Sequence, residues 1–399
     1  MPNIVPEVET FARIKVLGVG GSGKNALNHM VNSKVKGVEF IGVNTDAQDL
    51  HHTLAKKKIH IGKNLTKGLG TGMNPELGRR AVEETKEELQ ESIKGADMVF
   101  VAGGLGGGTC SGAAPAVAKT AKELGALTVA VVTKPFFFEG AQRLRIAEQA
   151  LDNLKKEVDA IIVIPNDRLL SNIDRNTTAK AAFAMCDEVL KQAVEGISDL
   201  ITTPGIINID FADIRAVMEN AGAALMGIGI GSGEKRAEDA AKMAINSPLL
   251  DISIAGAKGV LFSIAGGDDL TMFEIQDAAK VITESIDPNA KVIFGTVRDD
   301  KLKKGEVKVT VIASGFGETP ASHTQKKSLF SSSESKDEPV KGKIFNSVAE
   351  KVVVEKPEKK KEDDRPEPKS VAIDDKKSIP VIDTDDDWGA VPAFLRRKK

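Results

Sequence analysis

The sequence predicts an α/β protein: a mostly parallel sheet, a long central helix, a second smaller α/β domain and a disordered C-terminal tail. Three observations predict it. Short apolar runs alternate with helix-periodic stretches, glycine-rich loops follow two of those runs directly, and composition changes sharply after about residue 317. Strand-length apolar runs separated by helical stretches read as right-handed βαβ units, which set neighbouring strands parallel.

Taken in order, residues 14–17, 40–43, 98–102, 128–132 and 160–164 are short apolar runs that read as buried strands. Helices are expected over 76–93, with a Glu/Lys/Arg-rich face, and over 112–124. A long amphipathic stretch from Thr177 to Leu200 predicts the central helix, ended by the breaker Thr202-Thr203-Pro204-Gly205. Beyond it, a helix near 213–221 and strands near 259–265, 291–296 and 306–313 predict the second domain, with no fixed-period repeat. From Ser331 to Ser370, 20 of 40 residues are Asp, Glu, Lys or Arg, too polar a composition to offset the entropy of ordering. The last stretch differs again. Trp388, Phe394 and Leu395 stand between acids and a basic end, which predicts a short partner-binding peptide.

Composition narrows the function. With 399 residues, a net charge of −2 and two cysteines, Cys110 and Cys186, the chain lacks both the basic surface of a nucleic-acid binder and a disulfide framework. No run approaches the roughly 18 apolar residues of a membrane span, and the first residues carry no basic, then apolar, secretory pattern. The five histidines share no ligand spacing with cysteines or acids, so no metal site is expected from protein residues.

Two glycine loops carry the chemistry. Gly18-Val19-Gly20-Gly21-Ser22-Gly23-Lys24-Asn25 follows an apolar run and precedes a helical stretch. It satisfies the dinucleotide pattern G-x-G-x-x-G, with Asp46 at about the distance of a ribose-binding acid. It also nearly matches the Walker loop, except that Asn25 stands where a hydroxyl should ligate magnesium. A tight strand-to-helix turn with no ligand is the third reading. The second loop, residues 103–112, is richer in glycine and again joins a strand to a helix. Backbone N–H groups that converge at a helix start bind anions, so two such loops suggest one triphosphate held between them in a Rossmann-like nucleotide-binding sheet.

Gly106-Gly107-Gly108-Thr109-Cys110-Ser111-Gly112 resembles the GGGTG[ST]G loop of the tubulin/FtsZ GTPase superfamily. Asn44-Thr45-Asp46-Ala47-Gln48, Gly68–Pro75, Thr133-Lys134-Pro135-Phe136, Asn208–Asp213 and Val391–Arg396 extend that resemblance, in family order, to the bacterial cell-division branch. The resemblance implies an N-terminal extension (1–12), a GTP-binding domain (13–176), the central helix (177–202), a T7 loop with the C-terminal α/β domain (203–317), a disordered linker (318–378) and a partner-binding peptide (379–399). It implies an assembly-activated GTPase that polymerises head to tail into filaments of the division ring in the cytoplasm at mid-cell, uses GTP/GDP with Mg2+ held mainly by the phosphates, and meets membrane-tethering and regulatory division proteins through 379–399.

Carried over by position, Gly21, Ser22, Gly23, Lys24, Asn25 and Asn44 contact the phosphates and nucleoside. Gly106, Gly107, Gly108, Thr109, Cys110 and Ser111 cradle the phosphates, and Gly70, Thr71 and Gly72 sense the γ-phosphate. Glu139 and Arg143 meet the ribose, Asn166 and Asp187 read guanine, and Phe183 packs on the base. Cys110 departs from the glycine usual after Thr109. A left-handed backbone there would be strained by a side chain, and a thiol among converging N–H groups is expected to have a lowered pKa and enhanced reactivity. Phe136-Phe137-Phe138 reads as core.

Asn208, Asp210 and Asp213 form N-x-D-x-x-D at a helix start. Read alone, they cap the helix. The resemblance implies that they reach the nucleotide of the next subunit and position the attacking water. Two other functions stay open on the residues alone: a nucleotide-dependent oxidoreductase built on the first loop, and a nucleotide-bound filament protein without turnover.

Overall fold

The computed structural model describes residues 12–170, 176–203, 205–247, 254–267, 269–299 and 301–316. The linker, the terminal peptide and all but the last residue of the N-terminal extension lie outside the described residues.

Among the described residues, ten strands form one sheet: β1 (Ile14–Val19), β2 (Val38–Asn44), β3 (Lys57–His60), β4 (Met98–Gly104), β5 (Leu127–Lys134), β6 (Ala160–Pro165), β7 (Gly222–Ser232), β8 (Gly259–Gly266), β9 (Lys291–Arg298) and β10 (Glu306–Ser314). Their order is β3-β2-β1-β4-β5-β6-β7-β10-β8-β9. Strands β1 to β7 pair in parallel, and β10 alone runs antiparallel, to both β7 and β8. The winding reverses at β1, which has β2 on one side and β4 on the other. A crevice opens at the carboxyl ends of strands wherever a doubly wound sheet reverses.

Period-two alternation along β1 explains the layering. Ile14 and Val16 enter one buried cluster with Leu27, Met30 and the central-helix residues Leu190, Ala193 and Ile197, whereas Leu17 and Val19 enter another with Ala113, Val117 and Leu154. The central helix spans Ala179–Thr202 and starts at Thr178, whose hydroxyl accepts from the Ala181 amide at 3.2 Å. Its buried face also shares a cluster with Leu261 and Ile312 of the second domain.

Several elements differ from expectation. The stretch 76–93 forms two helices, Pro75–Glu84 and Lys86–Ile93. Between them the Thr85 hydroxyl donates to the Ala81 carbonyl at 2.9 Å and accepts from the Gly62 amide at 3.1 Å, a side-chain competition that bends helices. The helix expected at 112 begins at Gly108, and the one expected at 213 spans Phe211–Met218. Strands β3 and β7 and the helices Ala141–Glu157, Arg236–Ile245 and Met272–Thr283 were not foreseen.

Candidate active site

A cleft of about 390 Å³ opens at the carboxyl ends of β1, β4, β5 and β6, at the reversal. Two helices start beneath it, Gly20–Asn32 after β1 and Gly108–Glu123 after β4. Their N-cap residues, Val19 and Gly107, make no side-chain cap, and neither first turn holds an acid. Both starts therefore point N–H groups and the positive end of a helix dipole at the cleft. The loops are braced to each other. The Gly104 amide donates to Ser22 Oγ at 2.6 Å, and the Gly106 amide donates to Ser111 Oγ at 2.9 Å.

The walls carry polar side chains and one half-exposed aromatic ring. Arg143 donates to Glu139 Oε2 at 2.6 Å, and Glu139 Oε1 accepts from the Phe136 amide at 3.0 Å, so the acid is fixed in orientation. Asn166 is 5% exposed, and its Oδ1 has no hydrogen-bond partner among the described residues, a buried acceptor that a ligand donor would satisfy. Burial pushes the Asp187 carboxyl up to about 6, against the opposing pull of His29 and Lys24. Phe183, 47% exposed, packs in a T-shaped pair with Phe136, ring centroids 5.4 Å apart. Of the three consecutive phenylalanines, Phe136 is core. Phe137 and Phe138 are not: a 3₁₀ turn at Phe137–Glu139 carries them to 74% and 59% exposure.

The cleft thus combines two helix starts with the hydrogen-bonding side chains of Asn166, Asp187, Glu139 and Arg143. The tubulin/FtsZ family GTPase-domain model matches residues 13–174, and the FtsZ family C-terminal-domain model matches residues 222–317. An FtsZ dimer from M. jannaschii, in an empty state, is 46% identical with a TM-score of 0.74, over 77% of this chain and 89% of that one. A single-substitution mutant of FtsZ from M. jannaschii gives the same identity and TM-score over 77% and 92%. CetZ2 from Haloferax volcanii, a GTPγS-bound protofilament, is 22% identical with a TM-score of 0.66 over 77% and 94%, a likeness of fold.

The chain belongs to the FtsZ family. It carries that family's GTPase domain, which implies guanine-nucleotide binding.

Of the residues expected to bind nucleotide, Gly21, Ser22, Asn25, Thr71, Gly107, Gly108, Thr109, Cys110, Glu139, Arg143, Asn166, Phe183 and Asp187 line the cleft. The others expected of an FtsZ-type pocket are not among its lining residues. Gly23 is buried where helix meets strand, and a Cβ there would press on the Ala102 carbonyl. Lys24 pairs with Asp49 at 2.5 Å instead of reaching forward, and Asn44 donates to the other Asp49 oxygen at 2.8 Å. Gly70 and Gly72 have φ of +80° and +57°, which lets the chain fold Thr71 inward to 7% exposure. Gly106 and Ser111 hold each other across the loop. Asp46, the acid that a dinucleotide reading needs free for a ribose, caps the helix Ala47–His51 by accepting from the Asp49 amide at 2.9 Å.

Asp49 and Thr45 were missed by the sequence reading, as were Thr133, Pro135 and Leu190 on the wall. Thr45, Thr133 and Pro135 lie inside stretches that carried the resemblance, and were the available signal. The expectation for Cys110 is overturned. The residue lies within a helix, outside the left-handed region, so its side chain brings no backbone strain. Its sulfur turns away from the amides toward Gly103 and the core, and burial pushes the thiol up to about 12.

The N-x-D-x-x-D residues sit elsewhere. Asn208 Oδ1 accepts from the Gly205 amide at 2.7 Å, Asp210 caps Phe211–Met218 by accepting from the Ala212 amide at 3.3 Å, and Asp213 is exposed in the first turn. Asp210 lines a hollow with Arg13 and Asp97, the residues just before β1 and β4. The nucleotide cleft lies at the other end of those strands. Acids and cleft share no lining residue.

Proposed function

We propose that this protein is an assembly-activated GTPase that polymerises head to tail, hydrolysing GTP between subunits, as a cytoskeletal filament of the bacterial division ring. The observation that carries the reading is the placement of the cleft and the acids at opposite ends of the same parallel strands. Stacking by simple translation brings the amino-end acids of one subunit over the carboxyl-end cleft of the next. The FtsZ dimer among the relatives supports self-association.

In this reading the amides at Gly21 and at Gly107–Thr109 hold the phosphates, and Asn166 and Asp187 accept from guanine. Asp210 and Asp213 of the neighbouring subunit orient and polarise the attacking water, while Asn208 keeps their loop in shape. The protein donors near the phosphates are neutral amides and hydroxyls. They suit a Mg2+ carried mainly by the nucleotide, which supplies charge neutralisation when bound. Residues 379–399 would meet membrane-tethering and regulatory partners at mid-cell, a reading that rests on sequence alone.

Phosphate release against protein concentration tests the reading. An assembly-coupled enzyme shows a concentration threshold with turnover above it. Turnover proportional to concentration from the lowest dilution would place all catalytic groups in one subunit, and no turnover in assembled protein would favour a filament without an enzymatic cycle.

A further inference from the structure

Thr45 follows β2 and is completely buried. Among the described residues its hydroxyl has one hydrogen-bond partner, Thr109 Oγ1 at 2.8 Å. Thr109 Oγ1 lies 3.2 Å from Thr71 Oγ1, and both Thr109 and Thr71 line the cleft, whereas Thr45 does not. The groups that approach Thr45 otherwise, the His60 ring and the Thr66 hydroxyl, bond its backbone carbonyl.

A hydroxyl has one proton and two lone pairs. Because a buried donor without an acceptor is costly, the Thr45 proton goes to Thr109, which leaves Thr109 to spend its own proton elsewhere. We propose that Thr45 is a positioning residue for nucleotide binding: by occupying one lone pair of Thr109, it aims the Thr109 proton into the phosphate cradle. The proposal rests on the guanine-nucleotide reading above. Two effects favour it. A hydroxyl that accepts a hydrogen bond becomes a stronger donor, and the 2.8 Å bond selects between the two χ1 wells open to a threonine in a helix.

The test is a double-mutant cycle on the full chain, reading dissociation constants for GTP and GDP. Thr45→Val keeps shape and removes the proton, and should weaken both nucleotides about fivefold, the loss of one modest hydrogen bond. Thr45→Ser restores the donor and should bind as the wild type does. In a Thr109→Val background, Thr45→Val should add nothing, because its effect runs through the Thr109 hydroxyl. Full additivity in that background, or Thr45→Ser as weak as Thr45→Val, overturns the proposal in favour of simple core packing. If Thr45→Val does not fold, Thr45→Cys, a weak donor of similar size, runs the same cycle. Wild-type protein that binds neither nucleotide would instead overturn the guanine reading itself.

Discussion

If Asp187 accepts from guanine as proposed, it ties ionisation to recognition. Guanine presents N1–H and its exocyclic amine together, and only an ionised carboxylate accepts from both. With the carboxyl held near 6, GTP affinity should fall as the pH drops through that value. Empty protein responds in the opposite sense. Its folded value stands above the ordinary 3.8, so this group's contribution to stability is complete below about pH 4 and is lost as the pH rises toward 6. Asp187→Asn should therefore weaken GTP binding at neutral pH and flatten its dependence between about pH 5 and pH 7. A titration of affinity checks it. An unchanged slope would assign the dependence to another group, such as Asp199 on the same helix, which burial also pushes up to about 6. At this scale the sequence was legible through motif match and little else. Asn166 and Asp187 are 21 positions apart, and no periodicity reveals that both line one cleft. Cys110 shows the converse: its neighbours in sequence suggested an activated thiol, but side-chain direction, which no spacing encodes, put the sulfur in the core.

Strand β7 escaped the sequence reading for a physical cause. Strand β7 holds glycines at 227, 229 and 231, a residue depleted from strands. All three face the helix Arg236–Ile245. A methyl at Gly227, Gly229 or Gly231 would overlap the carbonyl oxygen of Ala244, Ala240 or Arg236 respectively. The glycines let the helix lie directly on the strand, so tertiary contact overrides propensity. Gly229→Ala should cost roughly 1–3 kcal/mol, as overpacking does, and urea unfolding would read it. Wild-type stability in that variant would mean that the helix can lift from the strand without loss. Strands β1, β2, β4, β5 and β6 were legible for the opposite reason: strands buried on both faces of a parallel sheet read as continuous apolar runs. The break at Thr85 was hidden because a single hydroxyl, bonded across to Gly62, decides it.

At the scale of the whole molecule, alternation of strand and helix announced a parallel sheet, but not the order of its strands. That order places the reversal between β1 and β4 and the two glycine loops on either side of it. It also separates the cleft from Asp210 and Asp213. Catalysis between subunits predicts a rescue. Asp213→Ala, with an intact cleft, and Thr109→Arg, with an obstructed one, should each be inactive alone yet regain part of the GTPase activity when mixed. Co-assembly without rescue would return the acids to their own subunit or to helix capping. The uncapped, acid-free starts of Gly20–Asn32 and Gly108–Glu123 have a consequence of another kind. Each aims partial positive charge into the cleft from a first turn that holds no acid of its own. An anion that binds there adds its binding free energy to the stability of the fold, so phosphate groups enter the folding equilibrium as well as the chemistry. Every ligand that leaves the cleft takes some of the protein's cohesion with it.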